Sequence, residues 1–216
     1  MVTDPTLEVE TGLFASGASV IIGIDEVGRG AMAGPVMVGV CAINAVITEF
    51  PAGLRDSKML SAPKRELLAP ILLGWAPSAV GAASAAEIDE WGITVCLGLA
   101  AKRALIALHE AGVPVGNSTV LLDGAHDWLN PVLTSKLHVI TRVKADQDCA
   151  VVAAASVVAK VERDALMVQL HAEHPQYGWA SNKGYGAAIH MEAIRVEGVT
   201  DYHRKTWVKT PVALAK

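Results

Sequence analysis

The chain has 216 residues, 52% of them hydrophobic, enough for one well-filled core and cramped for two full domains. A net charge of −4 and a pI near 6.0 are not the footprint of a protein that grips nucleic acid by bulk charge, so any polyanion must be held by a local patch or through divalent ions. Cys41, Cys96 and Cys149 lie in or beside apolar runs without CxxC spacing, which suits buried thiols in a reducing compartment.

No basic residue precedes Arg29, whereas Asp4, Glu8 and Glu10 do, so a secretory leader is not expected and the protein should stay in the cytoplasm. Residues 1 to about 17 show no sustained periodicity and read as a loosely held arm. The β-branched segment Val20-Ile21-Ile22 then opens a buried strand that ends in Asp25-Glu26. Two adjacent carboxylates there are costly unless something pairs with them. Arg29 is one candidate, but Gly28 and Gly30 beside it point to a backbone that hugs a ligand, so a metal with a phosphate nearby is the sharper reading. A plain surface turn with solvated acids is the blander alternative.

Gly23-x-x-x-x-Gly28-Arg29-Gly30 is one step from the phosphate-cradling G-x-x-x-x-G-K-[ST] loop. Arg29 replaces the lysine, Gly30 replaces the hydroxyl residue, and two acids occupy the loop, so that reading is set aside. Pro35 at the mouth of Val36-Met37-Val38-Gly39-Val40 allows a second strand, antiparallel to the first. The uncharged stretch Ala31 to Thr48 contains Gly34-Pro35, Gly39 and Asn44 and alternates like a strand, so neither a membrane span nor a membrane partner is expected.

Ser61 as N-cap and Pro63 in the first turn predict a helix that Pro70 should kink or end. Lys58, Lys64 and Arg65 make a basic corner there, with Lys58 the candidate for a phosphate contact. Val80 to Ala86 reads as a small-residue strand closed by Glu87-Ile88-Asp89, and Ile93 to Ala111 as an amphipathic helix. Thr119 to Asp123 is a short apolar strand ending in Asp-Gly; Asp123 is a turn residue or a ligand.

Leu137 to Ile140 reads as another strand, and a buried helix runs from Cys149 to about His174. Asp146 or Asp148 ahead of it could be an N-cap. Ser156, Lys160 and Arg163, at i, i+4 and i+7, form one polar face suited to a nucleic-acid backbone. A glycine- and aromatic-rich loop through Lys183 and Tyr185 precedes a last helix, about Ala187 to Val196. From Tyr202 onward Arg204, Lys205, Lys209 and Lys216 make a basic patch that ends in a frayed tail.

Asp25, Glu26, Asp123 and Asp146 thus stand at strand ends and at one strand-to-helix junction. Four such carboxylates at one rim cannot all stay ionised without metal, and hard oxygen ligands select Mg²⁺ or Mn²⁺. Two such ions would suit in-line attack of water on a phosphodiester. Neighbours on an ideal strand face opposite sides, so Asp25 and Glu26 share a site only if the strand ends, bulges or lends a carbonyl there.

In this order and spacing, GIDEVGRG, DSKxLS, LLDG, KAD, AASVVAKVERD and NKGYG resemble the ribonuclease HII family, from about Ile21 to Trp207. The resemblance implies a ribonuclease H-like α/β fold: a mixed sheet flanked by helices, with a helical C-terminal extension over about 175–216. All of 1–216 would then be a single catalytic domain, with no room for the extra N-terminal domain of ribonuclease HIII. It implies a monomer that cuts the RNA strand of RNA:DNA hybrids and cuts 5′ of ribonucleotides embedded in duplex DNA, leaving 3′-hydroxyl and 5′-phosphate ends.

By motif, Asp25 would bridge two Mn²⁺ or Mg²⁺ ions, Glu26 and Asp123 would help hold one, and Asp146 would complete the other. Gly28-Arg29-Gly30 matches the element that senses the 2′-hydroxyl through backbone groups, and Tyr185 matches the tyrosine that packs on the neighbouring sugar. Tyr185 read alone is equally a half-buried core aromatic. Lys58, Ser156, Lys160 and Lys183 complete the candidate substrate contacts. Two positions depart from the family pattern: Asn182, often histidine, and Gly92, often asparagine. The sequence does not tell whether a replication clamp contacts the chain.

Overall fold

The computed structural model describes residues 4–208. Five strands form one sheet in the order β3-β2-β1-β4-β5: β1 Val20–Val27, β2 Val36–Asn44, β3 Ser78–Ala83, β4 Thr119–Asp123 and β5 His138–Arg142. The first three are antiparallel neighbours, whereas β4 runs parallel to both β1 and β5. The expected hairpin is therefore present, and the central strand β1 is covered on both faces.

That double burial explains why β1 is apolar without alternation. Ile22 and Ile24 join the core beneath helix α4 (Ile93–Glu110), with Leu97, Ala101 and Leu105. Ile21 joins the opposite core, with Leu121 and the apolar half of helix α6 (Ala150–Glu173). Helix α6 lies unusually close to the sheet because Gly23 and Gly39 face it; a Cβ on either would collide with its backbone at Val151 or Ala155. A third, smaller core of Ala33, Met167, Leu170, Tyr177, Trp179, Ala193 and Ile194 holds the C-terminal extension, helices α7 (Trp179–Asn182) and α8 (Ala188–Glu197), against the end of α6.

Three local expectations need correction. The N-terminal segment is no loose arm: Glu8–Ala15 is helix α1, Thr6 bridges to Cys149, and the buried Glu10 carboxylate accepts the Val151 N–H at 3.0 Å. Its ordering comes from α6, which no local pattern announces. Pro70 does not end helix α2 (Ala62–Trp75) but lies inside it; it sits with Glu66 on the exposed side, where the carbonyl it frees is open to solvent. Glu87-Ile88-Asp89 belongs to helix α3 (Ala85–Trp91), started by a capping box in which the Glu87 N–H donates to Ser84 Oγ at 3.2 Å and the Ser84 N–H donates to Glu87 Oε2 at 2.8 Å.

All three cysteines are buried free thiols. Among the described residues no helix is long and apolar enough to cross a membrane. The tail residues beyond Val208 lie outside the described residues.

Candidate active site

The parallel ladder pairs Ile24 with Leu122, so Asp25 and Asp123 are the next residues of adjacent strands, at their carboxyl ends. Both follow the side of the sheet that faces α6, as Ile21 and Leu121 do. Asp146 comes from helix α5 (Ala145–Asp148), entered through Lys144 in the left-handed region at φ 62°. The Ala145 N–H donates to Asp123 Oδ1 at 2.7 Å, which ties that turn to the end of β4. Asp146 is therefore no N-cap: the cap positions are Lys144 and Cys149, and Asp148 pairs with Arg142 at 2.6 Å.

Asp25 is only 4% exposed and Asp146 only 3%. Burial holds the Asp25 carboxyl well above its ordinary range; the Ser156 hydroxyl works against this, and the charges of Glu26, Asp123 and Asp146 add to it. Asp123 is raised by burial, tempered by the Ala145 N–H, with Glu26 pushing it up further. Asp146 is raised by burial, tempered by Lys58, with Asp123 pushing it up. Three carboxyls, each raised by burial and by at least one acid nearby, are a cluster short of positive charge.

Lys58 supplies some of it. It sits in a 3-10 turn, Ser57–Met59, and its ammonium lies 3.1 Å from Asp146 Oδ2. Burial would lower its pKa, but the Asp146 and Asp25 charges leave it raised. The turn is fixed by Asp56, a buried acid absent from the candidate set, whose Oδ1 accepts the Lys58 N–H at 2.9 Å. Its signal was the capping pattern Asp-Ser-Lys ahead of the turn.

Glu26 reaches the rim because the strand ends one residue later; the ladder is regular, with Asp25 opposite Gly39 and Glu26 opposite Val38, and no bulge intervenes. By the pleat its side chain leaves on the other face, and it pairs with Arg29 at 3.3 Å. Among the described residues no three His, Cys, Asp or Glu side chains close into a metal cage. The donor set is still all carboxylate oxygen, each of the three inner acids is raised, and a hard dication would relieve that repulsion, so the residues fit Mg²⁺ or Mn²⁺.

Beside the acids lies the turn of residues 28–34. Arg29 and Gly30 are exposed, and the Met32 and Ala33 N–H groups donate to the Gly184 carbonyl at 2.8 and 3.1 Å. This seam sets Tyr185, 39% exposed, next to the turn, with the Arg163 guanidinium 5.7 Å from its ring centre. Asn182 clamps the loop, donating to the Tyr177 carbonyl at 2.7 Å and accepting the Gly184 N–H at 2.9 Å. Gly92 links α3 to α4 at φ 78°, a conformation asparagine adopts at some cost and glycine freely.

The polar face expected on α6 is largely withdrawn from solvent, with only Lys160 partly exposed. Ser156 is 2% exposed, and its hydroxyl lies 2.8 Å from that of Ser57. Arg163 is fully buried and donates to main-chain carbonyls, while the Lys160 ammonium is held by Asp164 at 2.6 Å. Ser156 is thus a support for Asp25 and not a surface contact. Lys183, at φ 53°, folds its ammonium back onto the Ala180 carbonyl. Arg204, expected in the basic patch, is fully buried too.

A family model described as Ribonuclease HII matches residues 22–210. The chain belongs to the ribonuclease HII family. It is 49% identical over 205 residues to ribonuclease HII of Streptomyces avermitilis, covering 94% of this chain and 83% of that one. It is 41% identical over 203 residues to ribonuclease HII of Cereibacter sphaeroides, covering 94% and 91%. Among solved structures it resembles ribonuclease H2 from Pyrococcus horikoshii OT3, with a TM-score of 0.67 at 26% identity over 87% of this chain and 93% of that one. It also resembles Bst ribonuclease HIII in complex with Mn²⁺, with a TM-score of 0.66 at 26% identity over 84% of this chain and 64% of that one.

The fold is accordingly the ribonuclease H-like one, and a ribonuclease HII is an endonuclease. Membership implies endoribonuclease activity on RNA:DNA hybrids, a nucleic-acid substrate and the divalent metal use of the family.

Proposed function

We propose that this chain hydrolyses the RNA strand of RNA:DNA hybrids and cuts 5′ of ribonucleotides embedded in duplex DNA, leaving 3′-hydroxyl and 5′-phosphate ends. Asp25, Glu26, Asp123 and Asp146 would hold two Mg²⁺ or Mn²⁺ ions. The observation that carries the reading is the register of β1 and β4, which makes Asp25 and Asp123 neighbours, with Asp146 tied to Asp123 through the Ala145 N–H. Bound divalent cations supply a more acidic water and offset the negative charge that develops at the phosphodiester.

The chain's own groups do the rest. Asp25, supported by Ser156, is kept dry beneath α6, which keeps its position independent of solvent. Lys58, paired with Asp146 but 70% exposed along its side chain, can turn its ammonium to a substrate phosphate once the acids are otherwise neutralised. Main-chain groups of Gly28, Arg29 and Gly30 read the 2′-hydroxyl, Tyr185 packs against the next sugar, and Lys183 lies along the same edge. Residues 1–216 act as one catalytic unit, monomeric and cytoplasmic.

The test is a duplex carrying one ribonucleotide, incubated with Mn²⁺ or Mg²⁺ and sized on a gel. One product cut on the 5′ side of the ribonucleotide is expected. An intact duplex, or equal cutting of an all-DNA control, would sink the proposal.

A further inference from the structure

Arg204 and Arg163 are fully buried, and among the described residues neither guanidinium lies within ion-pair distance of a carboxylate. Two uncompensated cations inside a protein are costly, so the fold must use them for something. Their donors all go to main-chain carbonyls around one turn. Arg204 Nη1 donates to the Arg29 carbonyl at 2.7 Å, Nη2 donates to the Gly28 carbonyl at 2.6 Å, and Nη2 reaches the Gly34 carbonyl at 3.3 Å. Arg163 takes the flanks: Pro35 at 3.0 Å, Ala33 at 3.2 Å and Lys183 at 2.9 Å. Gly28 has to be glycine here, because a Cβ would collide with the Arg163 guanidinium.

The carbonyls fix the opposite ends of the same peptide units. In a trans peptide the C=O and N–H point in opposite directions, and the described chain has no cis bond. With the Gly28 carbonyl turned in to Arg204, the Arg29 N–H is turned out; with the Arg29 carbonyl turned in, the Gly30 N–H is turned out. The next four N–H groups are all used: Ala31 to Gly28 at 3.2 Å, Met32 and Ala33 to Gly184, and Gly34 to Tyr202 at 2.8 Å. Among the described residues the Arg29 and Gly30 N–H groups have no protein acceptor, and both residues are exposed.

We propose that Arg204 is the positioning residue for sugar discrimination: its buried fork holds the 28–34 turn so that two adjacent peptide N–H groups face the substrate. A single hydroxyl oxygen can accept from both, and a deoxyribose offers no acceptor there. This rests on the hybrid-cleaving function proposed above. Arg204 acts through the turn, touching neither substrate nor metal, from 176 residues further along the chain than Gly28.

The test uses Arg204→Lys, which keeps the charge and loses the planar fork. Both it and its parent carry Asp25→Asn to prevent cutting. Binding is measured by fluorescence anisotropy at one salt concentration, on duplexes differing only in one ribonucleotide. The parent should prefer the ribonucleotide duplex, and Arg204→Lys should lose at least about tenfold of that preference, with all-DNA affinity changed less than about twofold. A parent without preference counts against the function above; a parent with preference and a variant that keeps it overturns the role of Arg204. Amide exchange on the Asp25→Asn parent gives an answer even if the Arg204 variant does not fold. The Arg29 and Gly30 amides should exchange fast in the free protein and be protected by the ribonucleotide duplex alone, and slow exchange in the free protein would overturn the outward orientation.

Discussion

At the scale of single residues, Asp25 shows the conflict expected of a site built for a missing charge. Its carboxyl is raised above the ordinary 3.8, so in the metal-free chain the folded state loses stability as pH climbs through that raised value. Asp25→Asn removes the conflict. It should abolish cleavage while making the metal-free protein more stable at neutral pH, by about 1 kcal/mol. Activity together with a urea melt checks this; undiminished cutting would contradict the metal role.

His203 titrates with the opposite sense. Burial, and then the charges of His190 and other neighbours, push it from 6.5 down to about 4. Its ring is fully committed, accepting the Thr200 N–H at 2.9 Å on Nδ1 and lying 3.1 Å from His190 Nε2 on the other side. The fold therefore holds it neutral, and its contribution is complete above about 6.5 and is lost as pH falls toward 4, on the order of 3 kcal/mol in all. Urea midpoints across that window should fall for the parent and flatten for His203→Gln. Equal slopes would show that His203 is not the titrating group.

At the scale of elements, α1 and α6 form one unit. Glu10 Oε1 accepts an otherwise free N–H in the first turn of α6, while its Oε2 is buried without a partner. Burial raises the Glu10 carboxyl, and the Val151 N–H works against that rise. Removing the acceptor leaves the Val151 N–H unpaired. Glu10→Ala should cost about 1–3 kcal/mol in chemical denaturation, an effect a loose arm could not produce. Because α6 begins just after Asp146, the same variant should also weaken Mn²⁺ binding measured by calorimetry.

At the scale of the whole molecule, the sheet gathers acids from distant parts of the chain, so metal binding and folding are linked. Mn²⁺ at about a hundred times its dissociation constant should stabilise the protein by about 2.7 kcal/mol, seen as a rise in thermal midpoint. The rise should shrink as pH falls toward the raised values of Asp25, Asp123 and Asp146, since protons compete for the same oxygens, and it should vanish in Asp25→Asn. A rise independent of pH would place the ion elsewhere.

What the sequence alone determines is local or carried by motif. The β-branched run into Asp25, the proline at the mouth of β2, the apolar length of α4 and α6 and the ordered string of motifs all lie in contiguous letters, where periodicity and turn chemistry operate. The faces of those elements were another matter. Ser156 and Arg163 look like a polar stripe for solvent, yet Ser57, Asp25 and the carbonyls of Ala33, Pro35 and Lys183 close over them. Glu10 looks like a surface acid and Arg204 like part of a basic tail. A buried charge is tolerable only where remote backbone groups meet it, and that meeting exists only once the chain has folded.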